Sequence, residues 1–122
     1  MEKKYRTRIC NVLVIGSGGA GLRAAISAHN SGCEVLVIGK RIRNDAHTTL
    51  ASGGINAALG TVDPEDNWRH HFVDTYQEGY HIGDPKTVEI LVKDAPARVE
   101  ELVSWGAPFA KNSNGKLDQR YF

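Results

Sequence analysis

The chain has 122 residues and a formal net charge of +1, with 41% hydrophobic and 24% charged residues. This length suits one compact domain or part of a larger one. The near-balanced charge gives no reason to expect a nucleic-acid partner or an anionic membrane surface. Because every apolar run is far shorter than the ~20 residues of a membrane helix, we expect no direct membrane insertion.

The first predicted element is a buried strand, Val12–Ile15, that runs directly into a glycine-rich loop, Gly16–Gly21. The loop has the pattern G-x-G-x-x-G: its first glycine permits a sharp turn, its second a close approach to a diphosphate, and its third close packing of the next helix. That helix is predicted over residues 19–30, with its positive end facing the phosphates, and Gly32 would end it. Its predicted buried face comprises Leu22, Ala25, Ile26 and His29.

A second strand is predicted over residues 34–38, which completes a right-handed βαβ unit with parallel strands. A polar stretch from Arg41 to Thr49 follows, and then a run of small residues with paired glycines over 50–59. Small residues of this kind indicate backbone that passes close to a ligand or to a helix.

Two helices are predicted in the second half of the chain. Asp63 and Pro64 give a start signal for the first, and Gly79 would end it. Asp84 and the proline after it repeat that signal, and helical spacing continues to Trp105-Gly106. Pro96 cannot donate its backbone N–H, so this segment is either two helices or one kinked helix. The apolar stripe of the first helix comprises Trp68, Phe72 and Tyr76.

Residues 108–122 are predicted to form a hairpin around a glycine turn. The predicted fold class is therefore α/β, with a Rossmann-like βαβ dinucleotide-binding unit followed by helices and a hairpin. The unit is expected to be incomplete, because the chain ends on Tyr121-Phe122 with no cap or polar terminus.

The identity of the dinucleotide depends on the end of the second strand. A unit that binds NAD has an acidic residue there, about 20 residues beyond the glycines, whereas this chain has Gly39. Lys40, Arg41 and Arg43 follow, and these cations would suit the 2′-phosphate of NADP. These residues alone are compatible both with an NADP-binding module and with a charged loop exposed to solvent.

The run from His47 to Gly60, together with the glycine-rich loop, resembles the flavoprotein subunit of succinate dehydrogenase and fumarate reductase, to which L-aspartate oxidase is related. The resemblance extends from Asn11 to Phe122. It implies a three-layer FAD-binding domain, of which residues 1–122 would be the N-terminal part. The rest of that domain and a capping domain would be absent from the chain.

The resemblance also implies the cofactor, FAD, and its attachment. In that family a histidine in the setting of His47 carries FAD covalently through the 8α methyl group, and a neutral imidazole is a competent nucleophile for such a carbon. Three sets of cofactor-binding residues follow from the resemblance. They are Gly16, Ser17, Gly18, Gly19, Ala20 and Gly21 for the diphosphate, Gly39 and Lys40 for the adenosine ribose, and Ala46, His47, Thr48, Thr49, Ser52, Gly53 and Gly54 for the flavin.

The activity implied is the oxidation of succinate to fumarate, or the reverse, with electrons passed to an iron–sulfur subunit. The resemblance implies a membrane anchor as a further partner, with a cytoplasmic location on the inner face of the membrane. We assign no catalytic acid or base within the chain and no metal, since the pair His70 and Asp74 has no third ligand. The alternatives are a soluble L-aspartate oxidase, an NADP-binding module and a non-catalytic truncated fragment.

Overall fold

The structure is a computed structural model that describes residues 5–40, 46–51 and 53–120. The chain divides into two compact units, residues 1–53 and 54–122. The first unit contains strands β1 and β2 and helices α1 and α2, and the second contains helices α3 and α4. Their bounds are β1 Val12–Ile15, α1 Gly19–Asn30, β2 Val35–Ile38, α2 His47–Leu50, α3 Trp68–Glu78 and α4 Pro85–Ser104.

The predicted βαβ unit is confirmed. Strands β1 and β2 are parallel and pair in register from Val12 with Val35 to Ile15 with Ile38, and α1 packs on both. Strand β2 begins one residue later than predicted, because the backbone N–H of Glu34 donates to Oδ1 of Asn11 at 2.8 Å rather than to the strand backbone.

Helix α1 has the predicted bounds and ends as its sequence indicates. Gly32 has a φ of +83°, in the left-handed region that favours glycine. Its N–H donates to the carbonyl of His29 at 2.9 Å, and the N–H of Cys33 donates to the carbonyl of Ala28 at 3.1 Å. This pair of bonds is a Schellman motif, which satisfies carbonyls that the last turn leaves unpaired.

The predicted buried face of α1 is partly wrong. Leu22 and His29 are exposed, whereas Ala25 and Ile26 are half-buried as predicted. Helix α1 contacts the end of β1 at Gly21, so the face that contains this glycine turns inward. Residues four and seven positions after Gly21 lie on the same face of the helix. These residues are Ala25 and Ala28, and both are half-buried.

Helix α3 begins later than the sequence predicted. The predicted N-cap, Asp63, instead closes a turn: its Oδ1 accepts from the N–H of Glu65 at 2.9 Å and its carbonyl from the N–H of Asp66 at 3.2 Å. The helix N-cap is Asn67, whose Oδ1 accepts from the N–H of Arg69 at 2.9 Å. An aspartate before a proline serves a turn as well as a helix start. The sequence signal was therefore ambiguous, although the end of the helix at its glycine cap is confirmed.

Helix α4 begins where predicted and is a single helix. Oδ1 of Asp84 accepts from the N–H of Lys86 at 3.0 Å, and Pro85 occupies the first turn. The helix continues through Pro96, which decides between the two arrangements that the sequence left open. Val92 and Val99 lie seven residues apart, on one face, and among the described residues they are the buried ones, with 0% and 5% exposure.

The predicted hairpin is reduced to one antiparallel bridge, between Lys111 and Leu117. Oδ1 of Asn112 accepts from the N–H groups of Asn114 and Lys116 at 3.0 Å each, and Gly115 has a φ of +75°. The turn is therefore held both by this side chain and by backbone bonds, such as that from the N–H of Asn112 to the carbonyl of Lys116 at 2.8 Å. None of the helices in the described ranges is long and apolar enough to cross a membrane.

The two-stranded sheet leaves apolar side chains in water. Leu13, Ile15 and Ile38 are 51%, 79% and 44% exposed. Burial of such side chains is the main favourable term in folding. A domain that buries little apolar surface therefore has a small free energy of unfolding.

We predict that residues 1–122 alone lose their helical circular dichroism gradually on heating, without a cooperative transition, because so little apolar surface is buried. The measurement is a thermal scan of this polypeptide by circular dichroism, repeated by calorimetry. A sigmoidal transition of the 122 residues, with matching calorimetric and van't Hoff enthalpies, would contradict the prediction.

Candidate cofactor-binding site

The glycine-rich loop starts where both strands end. The N–H of Gly16 donates to the carbonyl of Ile38, the last residue of β2, at 2.8 Å. Gly16 has a φ of +117°, which residues with a side chain rarely adopt, and this permits the sharp turn out of β1. The loop thus lies at the carboxyl edge of the parallel pair, the edge at which open α/β sheets bind ligands.

The last glycine of the loop has no room for a side chain. A Cβ atom at Gly21 would overlap the carbonyl oxygen of Gly16 and would lie 2.9 Å from its carbonyl carbon. It would also lie 3.4 Å from Cγ1 of Val14, in β1. The first turn of α1 therefore rests directly on the backbone at the end of the strand, as the third glycine of the motif predicted.

The N-terminus of α1 suits an anion. Its N-cap, Gly18, has no side chain to accept from the first N–H groups, and the first turn contains no acidic residue. The first N–H groups of a helix have no partner within the helix and lie at the positive end of its dipole. Ser17, Gly18 and Gly19 are half-buried and Ala20 is exposed, so a diphosphate has both donors and access here.

A hydrogen bond brings a second predicted segment to this loop. The N–H of Gly19 donates to Oγ1 of Thr48 at 3.0 Å, across 29 positions of sequence. Both residues were candidates for cofactor binding, but nothing in the sequence indicated that they touch. The structure therefore places the segment around Thr48 beside the helix N-terminus.

That segment contains an unpredicted helix of one turn. The sequence predicted only a polar stretch up to Thr49, whereas the structure has α2 from His47 to Leu50, with N-cap Ala46. The carbonyl of Ala46 accepts from the N–H groups of Thr49 and Leu50 at 2.9 and 3.1 Å. Ala46 is half-buried and His47 is exposed, as are the two threonines. His47 is thus accessible, and the residue after it contacts the loop.

The remaining candidates lie in several places. Gly39 and Lys40 follow β2 directly and are exposed, at the same sheet edge as Gly16. Gly53 is exposed in the first unit, and Gly54 is exposed in the second unit. Three residues singled out from the sequence, namely Ser52, Arg41 and Arg43, lie outside the described residues.

Sequence reasoning missed a polar cluster in the second unit. The side-chain amide of Gln119 donates from Nε2 to the carbonyl of Ala57 at 3.0 Å. Its Oε1 accepts from Oγ1 of Thr61 at 2.7 Å and from the N–H of Thr61 at 3.2 Å. The cluster fixes the end of the small-residue segment. Its only signal in the sequence was the position of Gln119 after the glycine turn. In the described part of the chain, no group of three His, Cys, Asp or Glu side chains could hold a metal ion.

These features fit FAD. A helix N-terminus whose N-cap residue has no side chain lies at the carboxyl edge of the parallel pair and provides backbone donors for the diphosphate. The absence of a side chain at Gly21 keeps that terminus against the strand. An exposed imidazole and two hydroxyl groups lie on the adjoining turn.

Comparison with known proteins identifies the family. The model of the family described as FAD binding domain matches residues 11–122. The curated relatives include a fumarate reductase (CoM/CoB) subunit of Methanothermobacter marburgensis, which is 46% identical over 93% of this chain. They also include the mitochondrial succinate dehydrogenase (ubiquinone) flavoprotein subunit of Oryza sativa subsp. japonica, which is 42% identical over 92% of it. The chain spans 21% and 18% of the lengths of these two relatives.

Solved structures agree with the sequence matches. The Mycobacterium smegmatis Sdh1 complex in the apo form matches 93% of this chain and 19% of its own, with a TM-score of 0.87 and 42% identity. The E. coli quinol fumarate reductase matches 91% of this chain and 19% of its own, with a TM-score of 0.80 and 31% identity. The predicted fold class, an incomplete Rossmann-like FAD-binding domain, and the predicted resemblance are both confirmed. The chain belongs to the FAD binding domain family.

Proposed function

We propose that residues 1–122 are the N-terminal, FAD-binding part of a flavoprotein subunit that interconverts succinate and fumarate. In this proposal the rest of the FAD-binding domain and a capping domain are supplied by further sequence. Support comes from the relatives named fumarate reductase and succinate dehydrogenase. It comes also from a site whose donors suit a dinucleotide.

The observation that carries the proposal is the contact between the glycine-rich loop and α2. The hydrogen bond from Gly19 to Thr48 puts a donor-rich helix N-terminus next to the turn that begins at His47. A dinucleotide needs binding groups at both its diphosphate and its ring. We infer that residues 16–21 bind the diphosphate, that Gly39 and Lys40 contact the adenosine ribose, and that residues 46–54 line the flavin.

We further propose that His47 carries FAD covalently. One bond would form between an imidazole nitrogen and the 8α carbon of the flavin. Dioxygen would accept the two electrons and two protons that this bond releases, giving hydrogen peroxide. The exposure of His47 on α2 supports this role, since an accessible side chain can reach a neighbouring ligand.

When bound, FAD supplies the capacity to accept a hydride from a carbon atom. The residues of this chain hold and orient it, and none of them is proposed as an acid or base. We propose that electrons pass to an iron–sulfur protein in the same complex and that a membrane anchor is a further partner. The complex would lie on the inner face of the cytoplasmic membrane.

The close packing of Gly21 against the carbonyl group of Gly16 predicts weaker FAD binding in Gly21→Ala. The added Cβ must push α1 away from the carbonyl of Gly16. Strain of this kind costs about 1–3 kcal/mol, so we expect FAD affinity to fall about tenfold to a hundredfold. The measurement is titration of apoprotein from the complete reading frame with FAD, followed by flavin fluorescence.

Gly83→Ala is the matched control for that substitution, because its Cβ would make an ordinary contact of 3.5 Å with Val88. It should bind FAD like the unaltered protein. Equal affinity of the Gly21→Ala and Gly83→Ala proteins would contradict the proposed site for the diphosphate.

The proposed role of His47 predicts flavin that stays attached to the protein after denaturation. Protein from the complete reading frame, grown with riboflavin, should show flavin fluorescence on a denaturing gel. His47→Gln should keep FAD but release it into acid, because the amide cannot form the bond. His29→Gln, a change to an exposed histidine on α1, is the control and should keep its fluorescence.

The same experiment separates the alternatives. Yellow protein that releases all its flavin into acid would show that FAD binds without a covalent bond, as expected for a soluble L-aspartate oxidase. Colourless protein that binds NADP would support an NADP-binding module instead. Colourless protein that binds neither dinucleotide would support a non-catalytic fragment.

A further inference from the structure

The hydroxyl of Thr48 connects the two parts of the site that would hold opposite ends of the cofactor. It accepts a hydrogen bond from the N–H of Gly19, the first residue of α1, at 3.0 Å. Thr48 directly follows His47 in α2. This bond therefore ties the turn that contains His47 to the helix N-terminus.

The contact is steric as well as polar. A Cβ atom at Gly19 would lie 3.3 Å from Oγ1 and 3.4 Å from Cγ2 of Thr48, and one at Gly18 would lie 3.8 Å from Oγ1. Both the hydroxyl and the methyl group of Thr48 thus rest on the glycine backbone. A β-branched side chain has few χ1 rotamers, so the two contacts together define where Thr48 lies.

Helix α2 depends on such a contact. It has four residues, and a single turn of helix is unstable by itself because its nucleation is unfavourable. The backbone hydrogen bonds described for this turn join residues between Ala46 and Ala51. The bond from Gly19 to Thr48 is a link from this turn to a distant part of the chain.

We propose that Thr48 is a positioning residue, which holds His47 at the correct distance from the diphosphate site for attachment to the flavin. This inference rests on the proposed function. The helix N-terminus would fix the diphosphate end of the cofactor, and Thr48 would fix the histidine relative to that terminus. The rate of bond formation between held groups depends steeply on their geometry, and a 1 Å misplacement costs about a hundredfold.

The test separates attachment from binding. Apoprotein from the complete reading frame is produced in riboflavin-starved cells and mixed with saturating FAD in air. Noncovalent affinity is measured by flavin fluorescence, and attachment by the flavin that stays with acid-precipitated protein over time. The variants are Thr48→Val, which keeps the shape but removes the hydroxyl, and Thr48→Ser, which keeps the hydroxyl. Thr7→Val, at an exposed threonine, is the matched control.

With the site saturated with FAD, we expect Thr48→Val to attach the flavin about tenfold more slowly than the unaltered protein, or worse. Thr48→Ser should attach it at a rate close to that of the unaltered protein. Thr7→Val should match the unaltered protein in both measurements. A residue needed only for folding would change binding and attachment together, and serine would not selectively restore the rate.

Three results would overturn the inference: attachment by Thr48→Val at the normal rate, slow attachment by Thr48→Ser, and a Thr48→Val protein that is insoluble or binds no FAD. The third would show that the hydroxyl maintains the fold or the FAD site rather than the histidine. Failure of the proposed function gives a different result, since the unaltered protein would then attach no flavin.

Discussion

The site depends on how closely the first turn of α1 approaches the end of β1. Because Gly21 has no side chain, the helix rests on the backbone of Gly16, whose left-handed conformation turns the chain out of the strand. This approach places the N–H groups of the helix at the carboxyl edge of the parallel pair. The contact with Thr48 then brings α2 to the same place. A longer separation between α1 and β1 would move the donors and the histidine-bearing turn away from that edge.

Elements with local signals could be predicted from the sequence. The end of α1 and the start of α4 follow from Gly32 and Asp84, whose backbone and side-chain bonds act within a few residues. The start of α3 could not be predicted, since Asp63 gives the same signal for a turn as for a helix. The inward face of α1 was partly misjudged because hydrophobic spacing includes Leu22, whereas the contact at Gly21 turns Ala25 and Ala28 inward.

The candidate site was predicted residue by residue but not as an arrangement. The glycine-rich loop has a pattern with a known physical basis, so its position at the end of β1 followed from the sequence. Helix α2 did not, because its stability comes partly from Gly19, which lies 29 positions before Thr48. No periodicity within four residues can reveal such a contact. The bonds of Gln119 with Ala57 and Thr61 were missed for the same reason.

The central claim is that the N-terminus of α1 binds the diphosphate of FAD while α2 presents His47 to the ring. The most direct test is a crystal structure of the product of the complete reading frame with FAD bound. We expect diphosphate oxygens within about 3 Å of backbone nitrogens in residues 16–21, with the flavin beside His47. A diphosphate bound elsewhere, or a flavin out of reach of that histidine, would contradict it.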